Sequence, residues 1–367
     1  MIIYFLLIGF VLICPIIAKI ISKEEIRRKK IIVTLSSLAI YLLCVLKSTN
    51  VGIDIPGYES AYYQAGKYKW LDTSYIYFEH GYIFLEKLFF SLGFSFQTFL
   101  FVVYAVIFIP VALFIYRYSK NITLSFIIYI CYQTLVFNLS GLRQSIAISI
   151  CLCAYMILDK KNVKYTILFF LIVILASQFH RSAILFLLAY FARRVKIDIG
   201  FIVGLLAVTI CTILFRDEIV SITNKYTGIY QAPKEMTLGG NFLFLVTVSS
   251  ILLLLYATRN TSESTREPKV EKVPLANEKK AVMSDTIKML IFSVVLQLIF
   301  NGSNVLRVSN YFSLFMVLAL PDLCSYFDLE SRRMLFIAIV IFMIILFYAQ
   351  TLKIAQFNCV PYTFFWQ

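Results

Sequence analysis

Apolar runs close to the length of a bilayer crossing recur along the whole chain of 367 residues, broken by short polar stretches. A crossing takes roughly 20 apolar residues at about 1.5 Å each. The first run, Met1 to Ile21, has no basic leader and no small-residue cleavage site, so it reads as a retained span. Basic clusters punctuate the runs at Lys23–Lys30, Arg117–Lys120, Lys160–Lys164, Arg193–Lys196, Arg259–Lys280 and Arg332–Arg333, and the segments between them are much poorer in Lys and Arg. Cytoplasmic loops collect these residues. Placing every cluster inside puts both termini outside and predicts an all-α polytopic membrane protein with about twelve transmembrane or re-entrant helices, organised as one integral membrane domain over 1–367.

Three stretches read as non-membrane. The segment 48–97 is an outer one, rich in Tyr and Phe, whose Tyr82–Leu92 portion suits a helix in the interface. The segment 215–240 is a second outer loop. The segment 259–285, charged and interrupted by Pro268 and Pro274, reads as a mobile inner linker. Tyr165 to Ala192 is unusual, because His180-Arg181-Ser182 stands in its middle. One continuous helix there would be about 42 Å long and would carry Arg193, Arg194 and Lys196 to the outside. Two short helices that descend and return avoid this, with His180 and Arg181 at a tip that lines a recessed outer cavity.

Composition supports the class: 60% hydrophobic, 15% charged and a mean hydropathy of +0.84, far from an ordinary soluble domain. The formal charge of +14 follows from the inner loops and needs no nucleic acid partner. Most of the 8 cysteines lie inside apolar runs as small hydrophobes. No P-loop, Gly-x-Gly-x-x-Gly, His-Glu-x-x-His or Asp-x-Asp pair occurs, so neither a metal nor another cofactor is expected.

In this topology the polar residues near membrane ends gather on the outer face. Asp54, Tyr58, Glu59, Glu79 and His80 lie in the first outer segment. Arg143 and Gln144 follow a turn over Asn138–Gly141, and His180, Arg181 and Ser182 form the tip. Arg307 follows the turn Asn301–Asn304, with Tyr311 one helical turn further on. Charges at membrane depth cost roughly 2.5–3.5 kcal/mol each by insertion scales. Each arginine alone is explicable as a lipid-phosphate anchor or as a partner of Asp54, Glu59 or Glu79. Together they suit a phosphate or diphosphate, which the guanidinium fork binds in bidentate fashion. His180, Asp54 and Glu79 are the candidate bases. Tyr58, Tyr62, Tyr63, Trp70, Tyr75 and Tyr82 are placed either to stack on sugars or to form an interfacial belt.

The order Gly52-x-Asp54-x-x-x-Tyr58, Glu79-x-Gly81-Tyr82, Gly141-x-Arg143-Gln144-x-x-Ala147, His180-x-Ser182-Ala183, Arg307-x-x-x-Tyr311-Phe312 and Val360-Pro361-Tyr362 resembles the EpsG family of bacterial exopolysaccharide synthesis, similar to the Wzy-type O-antigen and capsule polymerases. Ile55 departs from the family, whose members often carry Thr or another polar residue there. The resemblance implies a fold similar to membrane-embedded (GT-C-like) glycosyltransferases in a bacterial plasma membrane. It implies an undecaprenyl-diphosphate-linked oligosaccharide as substrate, with a flippase and a chain-length regulator as pathway partners. The resemblance does not fix the roles; from their own chemistry Arg143 and Arg307 are expected to hold diphosphate, His180 to act as base or to position the acceptor, and Asp54 and Glu79 to orient sugars or arginines. Tyr58, Tyr82, Gln144, Arg181, Ser182 and Tyr311 are expected to bind substrate. An O-antigen-ligase-like transferase and a flippase or transporter are the competing readings.

Overall fold

The computed structural model describes residues 2–70, 72, 78–160, 162–227, 240–264, 274–300, 304–353 and 356–367. All regular structure among them is helical. The chain forms two compact units, one of Met1–Leu187 with Cys324–Gln367 and the other of Leu188–Leu323.

The first unit begins with α1 (Ile2–Ile21), α2 (Glu25–Val45), α3 (Ile55–Ala65), α4 (His80–Ser91) and α5 (Phe96–Tyr118). It continues with α6 (Ile122–Cys131), α7 (Thr134–Ser140), α8 (Leu142–Ile157) and α9 (Val163–Ser177), then a 3-10 stretch over Arg181–Leu187. Side-chain caps start several of these helices. Ser95 accepts from Thr98 N in α5, Asn121 from Leu124 N in α6 and Asn162 from Lys164 N in α9, each satisfying an otherwise orphaned donor. The second unit holds α10 (Leu188–Ala192), α11 (Ile199–Leu214), α12 (Arg216–Thr227), α13 (Gly240–Ser264), α14 (Pro274–Phe300), a 3-10 stretch Asn304–Ser309, α15 (Asn310–Ser313) and most of α16 (Met316–Cys324). Within it Asp285 of α14 pairs with Arg193 Nε at 3.0 Å and Lys288 Nζ at 3.1 Å. The chain then returns to the first unit with α17 (Leu329–Phe347), which packs on α6.

Among the described residues four helical segments are long and apolar enough to cross a membrane: Ile2–Ile21, Phe96–Tyr118, Ala281–Phe300 and Leu329–Thr351. Two bent pairs, α6 with α7 (54°) and α11 with Arg216–Ile222 (74°), raise the number to 6 if each is one span. By length and composition the described residues thus support four to six spans of the expected dozen transmembrane or re-entrant helices. α8, expected as a crossing, is a helix of 10–17 residues, and so is α9, the first of the two short helices expected around His180. At 1.5 Å per residue these fall short of a core about 30 Å thick. In α2 the first two turns carry Glu25, Arg27, Arg28, Lys29 and Lys30.

Three boundaries differ from the sequence reading. Asn138 and Ser140 belong to α7, so the turn ahead of Arg143 narrows to Gly141. The segment 215–240 contains α12, and the linker 259–285 is helical up to Ser264 and again from Pro274. Proline is well suited to the first turn of a helix, where its missing N–H is no loss. The pair of short helices around His180 is present as α9 and the Arg181–Leu187 stretch, which pack against each other. Tyr75, residues 301–303 and residues 265–273 lie outside the described residues.

The C-terminal segment is strapped across the loop that leads to α3. Ser48 N donates to Thr363 O at 2.8 Å, Gly52 N to Asn358 O at 3.1 Å and Ile53 N to Phe357 O at 2.8 Å. Tyr362 OH donates to Leu43 O and Tyr4 OH to Cys359 O. Buried Lys47 adds a bond to Val51 O at 2.6 Å.

Candidate functional site

The break between α7 and α8 sets the position of Arg143. Gly141 ends one helix and opens the next, so Arg143 stands in the first turn of α8. A buried polar network holds the break. Ser145 donates to Asn138 Oδ1 at 2.7 Å and to Gly141 O at 2.9 Å. Asn138 bonds Tyr129, and Tyr104 OH donates to Asn138 O at 3.3 Å.

Glu79 arrives from the start of α4, where its backbone carbonyl accepts from Tyr82 N and Ile83 N. Its side chain makes no cap bond to the helix. Instead Oε2 accepts from Arg143 Nη1, while Oε1 lies 3.0 Å from His180 Nδ1 and accepts from the backbone N–H of Arg181 at 3.1 Å. One carboxylate thus gathers residues from α4, α8 and the turn after α9. Burial alone would push the Glu79 carboxyl up, but the His180 hydrogen bond and the Arg143 guanidinium outweigh it and hold it down at about 2. Its side chain is 9% exposed, against 21% for Arg143 and 29% for His180. The anion is therefore enclosed, while its two partners are partly exposed.

Gly81 makes the meeting possible. Its N–H donates to Gln178 O at 2.9 Å, and a Cβ there would stand 2.8 Å from that oxygen. Gly52 serves the neighbouring loop, with φ of +107° and a would-be Cβ 2.3 Å from Leu139 O. A side chain is excluded at both places.

An aromatic wall encloses the guanidinium. Arg143 Cζ lies 4.1 Å from the Phe78 ring centre and 5.8 Å from that of Tyr58, within cation–π range. Tyr58, Phe78 and Tyr82 contact one another at 5.5–5.7 Å between ring centres. Asp54 opens α3 beside this wall, bonded to Ser140, whose Oγ accepts from Asp54 N at 3.1 Å and donates to Oδ2 at 3.0 Å. Lys87 pins the chain ahead of Phe78 by donating to the carbonyls of Lys69, Trp70 and Asp72.

Of the residues expected from sequence, Asp54, Tyr58, Glu79, Tyr82, Arg143, His180 and the backbone of Arg181 come together in the first unit. Gln144 is buried on α8 beside Arg143, and Ser182 is the second residue of the 3-10 stretch. The Arg181 residue itself is exposed. Arg307 and Tyr311 belong to the second unit, where Tyr311 is fully buried. Phe78 and Ser140 were not among the expected site residues. Their sequence signal is adjacency, since Phe78 directly precedes Glu79 and Ser140 precedes the Gly141 break.

Chemically, a carboxylate only accepts hydrogen bonds, so Nδ1 of His180 is the donor in its contact with Glu79. In the neutral ring this leaves the lone pair on Nε2, the arrangement of a base oriented by a buried acid. The family model for the EpsG family matches residues 30–364. No curated protein and no solved structure matches the chain.

Proposed function

The chain belongs to the EpsG family, a family of Wzy-type polysaccharide polymerases, and from that premise we propose that it joins oligosaccharide repeat units carried on undecaprenyl diphosphate at the outer face of the bacterial plasma membrane. The observation that carries the reading is the Glu79 carboxylate shared between Arg143 and His180. It places a fixed cation and an oriented imidazole within one side chain of each other.

In this mechanism Nε2 of His180 takes the proton of the acceptor sugar's hydroxyl as its oxygen attacks the anomeric carbon of the donor. The glycosidic bond forms, and the bond from that carbon to the diphosphate oxygen breaks. Its electron pair stays on the diphosphate, where Arg143 meets the developing charge. Asp54, Arg181 and Ser182 are assigned to contacts with sugar or phosphate, and the buried Tyr58, Tyr82 and Gln144 back them. A flippase that delivers lipid-linked units and a chain-length regulator complete the proposed setting.

The test is polymer length in cells expressing Arg143→Lys or His180→Ala at matched membrane levels. A lysine keeps the charge but loses the fork, so long chains should fall at least about tenfold while single repeat units still appear outside. Full-length polymer from both variants removes these residues from the site. Loss of even single units outside the membrane assigns the chain to transport instead.

A further inference from the structure

Glu86 is a buried acid beside the site that the mechanism above leaves without a task. It lies on α4, one turn beyond Tyr82 and two beyond Glu79, so the three share one side of the helix. Glu86 and Tyr82 are both fully enclosed. Neither Glu86 oxygen and not the Tyr82 hydroxyl has a hydrogen-bond partner among the described residues, and Arg143 Nε is buried without one as well. The titratable and charged groups around this point are Tyr82 on the same helix, Tyr58 and Tyr62 from α3, Tyr104 from α5 and Arg143 from α8.

An ionised carboxylate needs donors, and the one hydroxyl close enough to act on Glu86, that of Tyr82, stands outside hydrogen-bonding geometry, so burial outweighs it. A buried acid in that position keeps its proton, and burial pushes Glu86 up to about 9 against the pull of Arg143. Among the described residues the one carboxylate in ion-pair contact with Arg143 is Glu79, itself shared with His180. Were Glu86 charged as well, two carboxylates would stand against a single guanidinium, and an incoming anion would meet no net attraction there.

We propose that Glu86 is a positioning residue, held as an uncharged acid behind Arg143, so that the guanidinium is balanced by Glu79 alone and stays open to an anionic group of the substrate. The proposal rests on the reading of Arg143 as a diphosphate-binding residue. Glu86 itself touches no substrate. Its protonated form supplies one donor, for which the Tyr82 oxygen lies one turn away.

The test uses the full chain in lipid nanodiscs with inorganic sulfate as the probe, because sulfate keeps its charge across the range. Sulfate binding to the wild type should weaken roughly tenfold between about pH 7 and about pH 10 as Glu86 ionises. Glu86→Gln, neutral at every pH, should show no such loss, and Arg143→Ala should bind no sulfate throughout. Infrared spectra at neutral pH should contain a protonated-carboxyl band in the wild type that Glu86→Gln removes. Parallel pH profiles for wild type and Glu86→Gln, or an absent band, overturn the inference and leave the Arg143 reading standing. Equal sulfate response from wild type and Arg143→Ala overturns that reading.

Discussion

Glu79 stands where a helix would take a capping side chain, yet both of its oxygens are directed away from α4, to Arg143, His180 and the Arg181 backbone. Its carboxyl is held at about 2, below the ordinary value of 4.5. A depressed carboxylate contributes stability that is complete above its unfolded value and is lost as pH falls toward the folded one. Unfolding of the purified protein should therefore show an acid-dependent loss between about pH 4.5 and about pH 2, on the order of 3 kcal/mol. Glu79→Gln should be less stable at neutral pH, because Arg143 loses its counter-charge, and should lack that slope. A wild-type acid profile that Glu79→Gln reproduces would show that the carboxylate is not held by these partners. At this scale the candidates Glu79, Arg143 and His180 were legible as charges beside apolar runs. Phe78 was not, because an aromatic beside an apolar run carries no sign of the cation it will cover.

Helix breaks, more than helices, build the site. Gly141 separates α7 from α8, the turn 178–180 separates α9 from the 3-10 stretch, and the strapped loop 46–53 delivers Asp54. The sequence motifs Gly52-x-Asp54, Glu79-x-Gly81 and Gly141-x-Arg143 each set a glycine beside a functional residue. The structure gives the physical cause at Gly81, where backbone from α9 approaches within hydrogen-bond distance. Gly81→Ala should force the two segments apart at a cost of about 1–3 kcal/mol, the range for overpacking. His180 would then separate from Glu79, and polymer formation should fall by roughly tenfold or more with the loss of that orientation. Thermal unfolding and polymer yield of the variant, measured together, check this; wild-type values for both would contradict it. Element boundaries were the weaker part of the sequence reading. Polar composition marked 215–240 and 259–285 as loop and linker, whereas α12 covers Arg216–Thr227 of the first and α13 and α14 extend into the second.

At the scale of the molecule, the basic clusters and the candidate site are predicted to lie on opposite faces of the bilayer. Ser182→Cys, in a chain whose exposed Cys211 is changed to Ser, should react with an impermeant thiol reagent added outside intact cells. Lys120→Cys, in a basic cluster, should react only after the membrane is opened. The reverse pattern would invert the topology and remove the site from the outer face.

The sequence by itself determined the class of the molecule. Its apolar run lengths dictate an all-helical membrane protein, and its ordered short motifs identify the family. These are local properties, set by the cost of burying backbone and charge in lipid. Only the tertiary structure decided that Glu79 meets Arg143 across 64 positions and His180 across 101. It also decided that Glu86, seven residues from Glu79 on the same helix, is enclosed without a donor in bonding geometry. Which carboxylate becomes a shared anion and which a neutral acid depends on donors brought by other helices. No local pattern of residues encodes that supply.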